Sequence, residues 1–410
     1  MNKKNLEILA PVGSWSSLQA AIAAGADSIY FGVHPLHMRA GSAFPFTPKD
    51  LIKIANICKE HRIKSYLVLN TILYNQDLSL MRKLCEKAKE AAICAVVAAD
   101  MAAISFARSI DLPVHASTQL NISNIASLRF FSQFVDTAIL ARELSLAQIA
   151  SICHAIEKEK ICGPSGNLLQ IELFAHGALC LAIAGKCYMS LAEYNKAANR
   201  GECLQPCRRK YRLLDDETED ALVIDNQYIL SPKDLATIEI LDKLVQAGVS
   251  IFKIEGRGRT AEYVFAVVKA YKEAVLSIVE KTFTREKVLH WKEALQKVYH
   301  RGFWENGYYL GKKLGAWSGT AGSLASEKKV LVGTVQHFFG KAKIAEALVN
   351  KGSLKEKDSI LIMGNTTGVI KSSIESLVVH SSLEGQKIRV TFPLTTKVRK
   401  NDQIYLLQQR

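Results

Sequence analysis

Eight short apolar runs recur through the first two thirds of the chain: LEILAP (Leu6 to Pro11), SIYFG (Ser28 to Gly32), SYLVLN (Ser65 to Asn70), AVVAAD (Ala95 to Asp100), PVHAS (Pro113 to Ser117), DTAILA (Asp136 to Ala141), LQIELF (Leu169 to Phe174) and SIFKIEG (Ser250 to Gly256). Most are nearly continuous in apolar residues rather than alternating, the pattern of strands covered on both faces. Between most of them the apolar positions move to helical spacing, as from Leu51 to His61 and from Leu146 to Glu157. Eight strand-and-helix steps over about 270 residues predict an α/β fold, a (β/α)8 TIM-like barrel, with an irregular insertion between the seventh and eighth strands. AGADSIYFG and AGVSIFKIEG place the same helix end, turn and strand at the first and last crossovers. Internal repetition and common barrel turn chemistry explain that echo equally well.

The pattern changes after the barrel. A long helix is expected from about Thr260 to Lys281 and another from Thr284 to Tyr299, followed by RGFWENGYYLG (Arg301 to Gly311) and a Gly, Ser and Ala-rich linker from Gly315 to Ser326. Trp304, Tyr308 and Tyr309 have two readings, stacking on bases or packing two domains together, and packing is the favoured one. Beyond the linker come short strands with polar turns, VLVGTVQHF, KAKIAEALV, SILIMG, IKSSIESLVV, KIRVTF and QIYLL, which predict a small closed β-barrel like the one in translation factors. The expected division is a TIM-like catalytic domain over residues 1–325, with the Cys-rich insertion at about 176–230, and a small, translation-factor-like β-barrel over 326–410 that is expected to bind RNA.

Composition sharpens this picture in two places. The chain of 410 residues carries a net charge of +14, and its last fifth, residues 330–410, holds twelve Lys or Arg against six Asp or Glu. Such a surplus attracts polyanions and supplies the phosphate contacts that dominate nucleic-acid affinity. The other is cysteine. Nine cysteines, an odd number, and an amino terminus that turns into a strand pattern without an apolar export segment, predict a reduced cytoplasmic setting. No run of about eighteen apolar residues suggests a membrane span.

Four of the nine, Cys180, Cys187, Cys203 and Cys207, fall in one segment punctuated by Gly177, Gly185, Gly201 and Pro206. The other five, Cys58, Cys85, Cys94, Cys153 and Cys162, are scattered and read as core thiols. Four soft thiolates match the ligand count of zinc or of an iron–sulfur cluster. The C-x6-C-x15-C-x3-C spacing lacks paired C-x2-C knuckles and favours iron–sulfur, while zinc stays open, as do ordinary buried thiols.

In a parallel barrel the chemistry lies at the carboxyl ends of the strands. The polar residues there are Asn70, His115, Ser117, Gln119, Arg142, Glu143, Glu172, His176, Lys253, Glu255 and Arg257, with Arg259 just beyond. Lys253 and Glu255 are two apart and should share a side of the sheet. Arg142, Lys253, Arg257 and Arg259 suit a small anionic ligand, because guanidinium forks grip carboxylates bidentately. Rim ion pairs that merely hold the barrel together are the plain alternative. Arg208, Arg209 and Lys210 follow the last of the four cysteines as a basic run, a steering site for phosphate or a solvated surface.

The words HGALC, GKC, NRGEC and QPCR, in that order, resemble the signature of the collagenase-like peptidase family, peptidase family U32. LAPVGSWSSLQAAIAAGADSIYFGV, HASTQLNISN, ARELSL, SPKDL and GVSIFKIEGRGRTAEYV resemble it too, so that the likeness covers roughly the first three quarters of the chain. Some members of that family carry a protease label, and others hydroxylate tRNA uridine, rRNA cytidine or the ubiquinone ring without molecular oxygen. One catalytic domain followed by a modest β-barrel is most similar to the tRNA 5-hydroxyuridine modification proteins. That resemblance implies prephenate-dependent hydroxylation of the wobble uridine, with Cys180, Cys187, Cys203 and Cys207 holding an iron–sulfur cluster of the 4Fe-4S type, with zinc as the alternative. It further implies Arg142, Lys253, Arg257 and Arg259 on the carboxylates of the co-substrate, Glu143, His115 or His176 moving protons, and Arg208, Arg209 and Lys210 steering tRNA, and it leaves open whether a separate donor supplies electrons. A peptidase and a zinc-stabilised RNA-binding scaffold are the competing readings. The sequence contains no H-E-x-x-H and no G-x-S-x-G motif.

Overall fold

A computed structural model describes residues 6–41, 46–214, 217–218, 221–222, 228–305, 317–320, 322–350, 352–382 and 387–410. Each expected strand is present and opens one step of the barrel. The chain runs β1 (Glu7–Pro11), α1 (Trp15–Ala23), β2 (Ser28–Phe31), α2 (Asp50–Glu60), β3 (Lys64–Leu69), α3 (Leu78–Glu90), β4 (Ala95–Ala98), α4 (Met101–Ser109), β5 (Val114–Ala116), α5 (Ile125–Phe131), β6 (Thr137–Ile139), α6 (Leu146–Glu159) and β7 (Gln170–Gly177). The insertion follows, with α7 (Met189–Tyr194), the short pair β8 (Leu213–Leu214) and β9 (Ala221–Leu222), and β10 (Asp234–Ala236). The barrel resumes with α8 (Leu241–Gln246), β11 (Ile251–Ile254) and α9 (Ala261–Val279), then α10 (Arg285–Gln296) and β12 (Phe303–Glu305). β1 to β7 pair in order, all parallel, and β11 closes the ring between β7 and β1.

Local chemistry explains the crossovers. Ser14 caps α1 through a reciprocal box with Ser17, and Ser145 caps α6 with Gln148, satisfying amide donors that the first helical turns leave free. The helices cover the outer face of the strands, so the wall residues are almost completely buried. The lumen departs from the usual filling of branched apolar side chains. Glu7, Tyr66, His115, Glu172 and Lys253 are all buried and linked by short polar contacts. Buried charges cost free energy unless paired, so a lumen of this kind calls for a chemical explanation.

The last part of the chain forms a separate antiparallel sheet of β13 (Glu327–Phe339), β14 (Ile344–Asn350), β15 (Ser359–Gly364), β16 (Gly368–Ser373), β17 (Val378–Ser382), β18 (Lys387–Pro393) and β19 (Gln403–Gln409), in the order β16-β15-β19-β13-β14-β18-β17. It curls around its own core of Val335, Val349, Ile362, Val390, Phe392 and Ile404. Among the described residues, β16 and β17 are not hydrogen-bonded to each other, so the ladder that a closed barrel requires is not completed. The run IKSSIESLVV, expected as one strand, divides into β16 and β17. Ile374 turns fully into the core there, and its N–H bonds the Asp358 carbonyl instead of a ladder partner. The sheet rests on the barrel through β16, which packs against α1 and α9, and through the ion pair of Lys329 with Glu262. Trp304 is buried in the barrel-side core, as the packing reading expects, whereas Tyr308 and Tyr309 lie outside the described residues. No helix among the described residues is long and apolar enough to cross a membrane.

Candidate functional site

β7 and β11 lie side by side, and the chemistry of the barrel mouth is concentrated on them. Glu172 on β7 is fully buried, and its Oε1 accepts a hydrogen bond from Lys253 Nζ of β11 at 2.7 Å. Its Oε2 lies 3.5 Å from His115 Nδ1 of β5, and neither of those two atoms has a hydrogen-bond partner among the described residues. Burial pushes the Glu172 carboxyl up, but Lys253 and then His115 outweigh it and hold the group below the usual carboxylate range. The Lys253 ammonium also sits 4.4 Å from the ring of Tyr30 and 5.5 Å from that of Phe174.

A second layer lies nearer the rim. Glu255 accepts from Arg39 Nη2 at 2.9 Å and from the Tyr30 hydroxyl at 3.2 Å. Burial opposes ionisation of Glu255, yet Arg39, Arg257 and Arg142 together bring its carboxyl down to about 2. Arg39 contacts that carboxylate, while Arg257 and Arg142 act on it from farther away. Arg257 is 8% exposed, bonds His37 Nδ1 at 3.2 Å, and leaves its Nε without a partner among the described residues. Arg142 lies over the Phe174 ring at 4.3 Å, with one bond of 3.4 Å to the Ala178 carbonyl. Among the described residues neither Arg142 nor Arg257 has a carboxylate within ion-pair distance. Three guanidiniums against one carboxylate leave two positive charges at the mouth.

The cysteine segment lies across these rim loops. The Ile72 N–H donates to the Asn199 carbonyl at 3.1 Å, Arg200 pairs with Asp77, and Gly185 meets Met38. Gly201 has a φ of +88°, and a Cβ there would stand 2.4 Å from the His37 carbonyl, so only glycine lets the segment lie so close to the 34–41 loop. The four thiols are free, Cys180 exposed and the other three half-buried. Burial pushes the Cys207 thiol up, Arg208 pulls it back, and Cys180, Cys203 and Cys187 push it up again, an influence that requires all four to share a neighbourhood. Glu255 is the main group holding Arg39 charged, and Cys203 adds to it. The donor set suits a thiolate-ligated centre in ligand type, number and grouping. Among the described residues, however, no three His, Cys, Asp or Glu side chains already converge on one ion-sized point.

Sequence reasoning thus meets the structure unevenly. Arg142, Lys253 and Arg257 come together, and His115 lies deeper beside Glu172. Lys253 pairs with Glu172 rather than with Glu255, although both Lys253 and Glu255 reach Tyr30. His176 lies elsewhere: it packs on the outer side of the wall against Tyr263 and Tyr271 of α9 and Phe303 of β12. A register shift explains this, since Lys253 faces Phe174 but Ile254 faces His176, so one extra residue on β7 turns the histidine away from the Glu172 side. Arg259 joins that outer layer, 3.6 Å from the ring of Tyr299. Glu143 is exposed in the turn after β6. Arg208 is occupied in holding the insertion, through Ser231 Oγ at 2.9 Å and the Pro232 and Leu179 carbonyls. Arg209 pairs with Glu193 and lies over Tyr194, and Lys210 is exposed. Arg39 and His37 were missed; their signal was position, in the loop directly after β2.

The buried histidines give a direct test. His37 and His176 are both held at about 3, by burial first and then by Arg257 for His37 and by His300 for His176. The unfolded chain binds these protons near pH 6.5 and the folded chain does not, so their contribution is lost as pH falls from 6.5 toward 3. The slope is about 1.4 kcal/mol per pH unit for each histidine. Urea unfolding at pH 5.5 and 4.5 should show it, and His176→Phe should reduce the slope by one histidine's share; an unchanged slope in that variant would refute the assignment.

Comparison with known proteins identifies a family and several relatives. The profile of Peptidase family U32 matches residues 13–318. A collagenase of Porphyromonas gingivalis is 48% identical over 100% of both chains. A protein of Methanocaldococcus jannaschii named as an uncharacterized protease is 36% identical over 98% of each chain. A tRNA hydroxylation protein of Bacillus subtilis is 30% identical over 73% of this chain and 69% of its own.

Proposed function

This chain belongs to peptidase family U32, and from that membership and the chemistry of its mouth we propose that it hydroxylates tRNA, converting the wobble uridine to 5-hydroxyuridine without molecular oxygen and with prephenate as co-substrate. The observation that carries the reading is the pair of guanidiniums, Arg142 and Arg257, that meet no carboxylate within ion-pair distance among the described residues, at a mouth whose rim loops contact the cysteine segment. Two uncompensated positive charges complement a dicarboxylate such as prephenate, and guanidinium forks supply the geometry. The Bacillus relative's name points to the same class of substrate.

In this reading Cys180, Cys187, Cys203 and Cys207 hold an iron–sulfur cluster of the 4Fe-4S type. When bound, that cluster supplies one-electron chemistry beside the mouth, fed by a separate donor. Arg142 and Arg257 bind the two carboxylates, and Arg39, tied to Glu255, orients them from the 34–41 loop. Lys253 keeps Glu172 ionised in a site shielded from water, and His115 Nδ1, next to the free Glu172 Oε2, is the group placed to hold or release a proton.

The peptidase reading has the name of the Porphyromonas relative behind it. Against it, no hydroxyl or thiol among the described residues is hydrogen-bonded to a histidine at the mouth, the contact that activates a protease nucleophile. Mass spectrometry of tRNA nucleosides separates the two. In a strain lacking this gene and any redundant hydroxylase, 5-hydroxyuridine derivatives should vanish and return with the intact gene. Unchanged levels, together with gelatin hydrolysis by the purified chain, would replace hydroxylation with proteolysis.

A further inference from the structure

We propose that one end of the C-terminal sheet is a preformed RNA-docking face. Three loops meet there: the β13–β14 turn at residues 340–343, the β15–β16 turn at 365–367, and the segment 394–402 between β18 and β19. Asp402 staples them. Its carboxylate, in a residue only 5% exposed, accepts from the Arg399 N–H at 2.8 Å and from the Thr367 hydroxyl, while its carbonyl accepts from the Val335 N–H at 2.9 Å. The Leu394 N–H joins the Lys343 carbonyl at 2.8 Å. Loops fixed this way do not have to be ordered when a partner arrives.

The side chains presented are of one kind. Lys341, Lys343, Lys397, Arg399 and Lys400 are all exposed, and Asp402, turned inward, is the only acid in the three loops. Beside the cations, the ring of His337 lies 4.5 Å from that of Phe339, and Phe339 is 43% exposed. The opposite end of the sheet mixes Lys355 and Lys357 with Glu356, Asp358 and Glu375. Cations alone would suit any polyanion. Cations beside open aromatic faces suit single-stranded or looped RNA, in which phosphates meet lysines and an unstacked base meets a ring. The occupant is therefore RNA, and given the hydroxylation reading on which this inference rests, it is the tRNA substrate.

The experiment uses the full chain and in vitro transcribed tRNA, titrated over a range of salt. The variant Lys341→Gln, Lys343→Gln, Lys397→Gln, Lys400→Gln should bind about a hundredfold more weakly, and its slope of log affinity against log salt should fall by about 3, at 0.7–0.9 per lost phosphate contact. Phe339→Ala should bind about tenfold more weakly with the slope unchanged, because stacking releases no counterions. Lys355→Gln with Lys387→Gln, at the other end, should bind as the parent does. Thermal melting confirms that each variant folds. Parental affinity and slope in the four-lysine variant would overturn the docking face, as would full displacement of the tRNA by polyglutamate with no effect of Phe339→Ala. The nucleoside assay remains independent: its signal can persist while this face fails, which separates the two ideas.

Discussion

Replacing Cys203 by serine is expected to abolish cluster binding and tRNA hydroxylation together. Loss of an outer partner of a metal ligand costs ten- to a hundredfold in affinity or activity, so loss of a ligand should cost at least about a hundredfold. Cys203 is the most informative of the four because it is the one whose charge acts on Arg39, the residue bonded to Glu255 at the mouth. Purified without air, the parent should contain iron and sulfide with a visible absorbance band; the serine variant should lack both and restore no 5-hydroxyuridine in the deletion strain. Cys94→Ser serves as the control and should leave iron, sulfide and activity intact; the sequence reads Cys94 and Cys162 as core thiols, but the structure leaves both exposed, and only Cys58, Cys85 and Cys153 are buried. Full iron and activity in Cys203→Ser would remove the quartet from the reaction. Stoichiometric zinc without sulfide in the parent would replace the redox reading by a structural one.

Lys253→Met should be the most destabilising single change in the lumen. It leaves Glu172 buried with only His115, 3.5 Å away, beside it, and breaking a buried pair from one side costs about 3–5 kcal/mol. The pH dependence should change sign. In the parent, the Glu172 carboxyl is held low, so its contribution is present above the usual value of 4.5 and is lost as pH falls through the lower folded value. Without Lys253, burial dominates and raises the folded value, so the variant is least impaired at low pH and loses stability as pH rises. The double change Lys253→Met with Glu172→Leu removes both charges and should recover most of the loss, since an apolar pair of similar size is often as stable as a buried ion pair. Urea unfolding at pH 5 and pH 7.5 measures each step. If the double variant recovers stability but not hydroxylation, the pair is retained for chemistry. Equal instability of the single variant at both pH values would mean that Glu172 is not the carboxylate left exposed to the loss.

Much of the architecture was legible in the chain because its causes are local. A strand covered on both faces must be apolar at nearly every position, so all eight barrel strands stood out, and Ser14, Ser145 and Thr284 mark helix starts, their side-chain oxygens accepting from backbone N–H groups of the first turn. The grouping of Cys180, Cys187, Cys203 and Cys207 also followed from the order of residues, since a single insertion can bring together only what it contains. Arg142, Lys253 and Arg257 could be placed at the mouth because barrel rims collect the residues at strand ends.

What depends on register or on distant partners could not be read that way. One added residue in β7 turned His176 to the outer layer, and two-residue periodicity carries no sign of a bulge. The division of IKSSIESLVV at Ile374 depended on a core contributed by strands before and after it. Arg39 and Glu255 are 216 positions apart, and the Glu172, Lys253 and His115 group draws on three strands. Such pairings are selected by the electrostatics of a shared low-dielectric interior, where each charge must find its partner in space. The chain alone therefore determined the barrel, the insertion and the donor set, through local pattern and chemistry. Only the folded molecule decided which charges face one another, because that choice is made by closure of the ring and by burial, which no local segment contains.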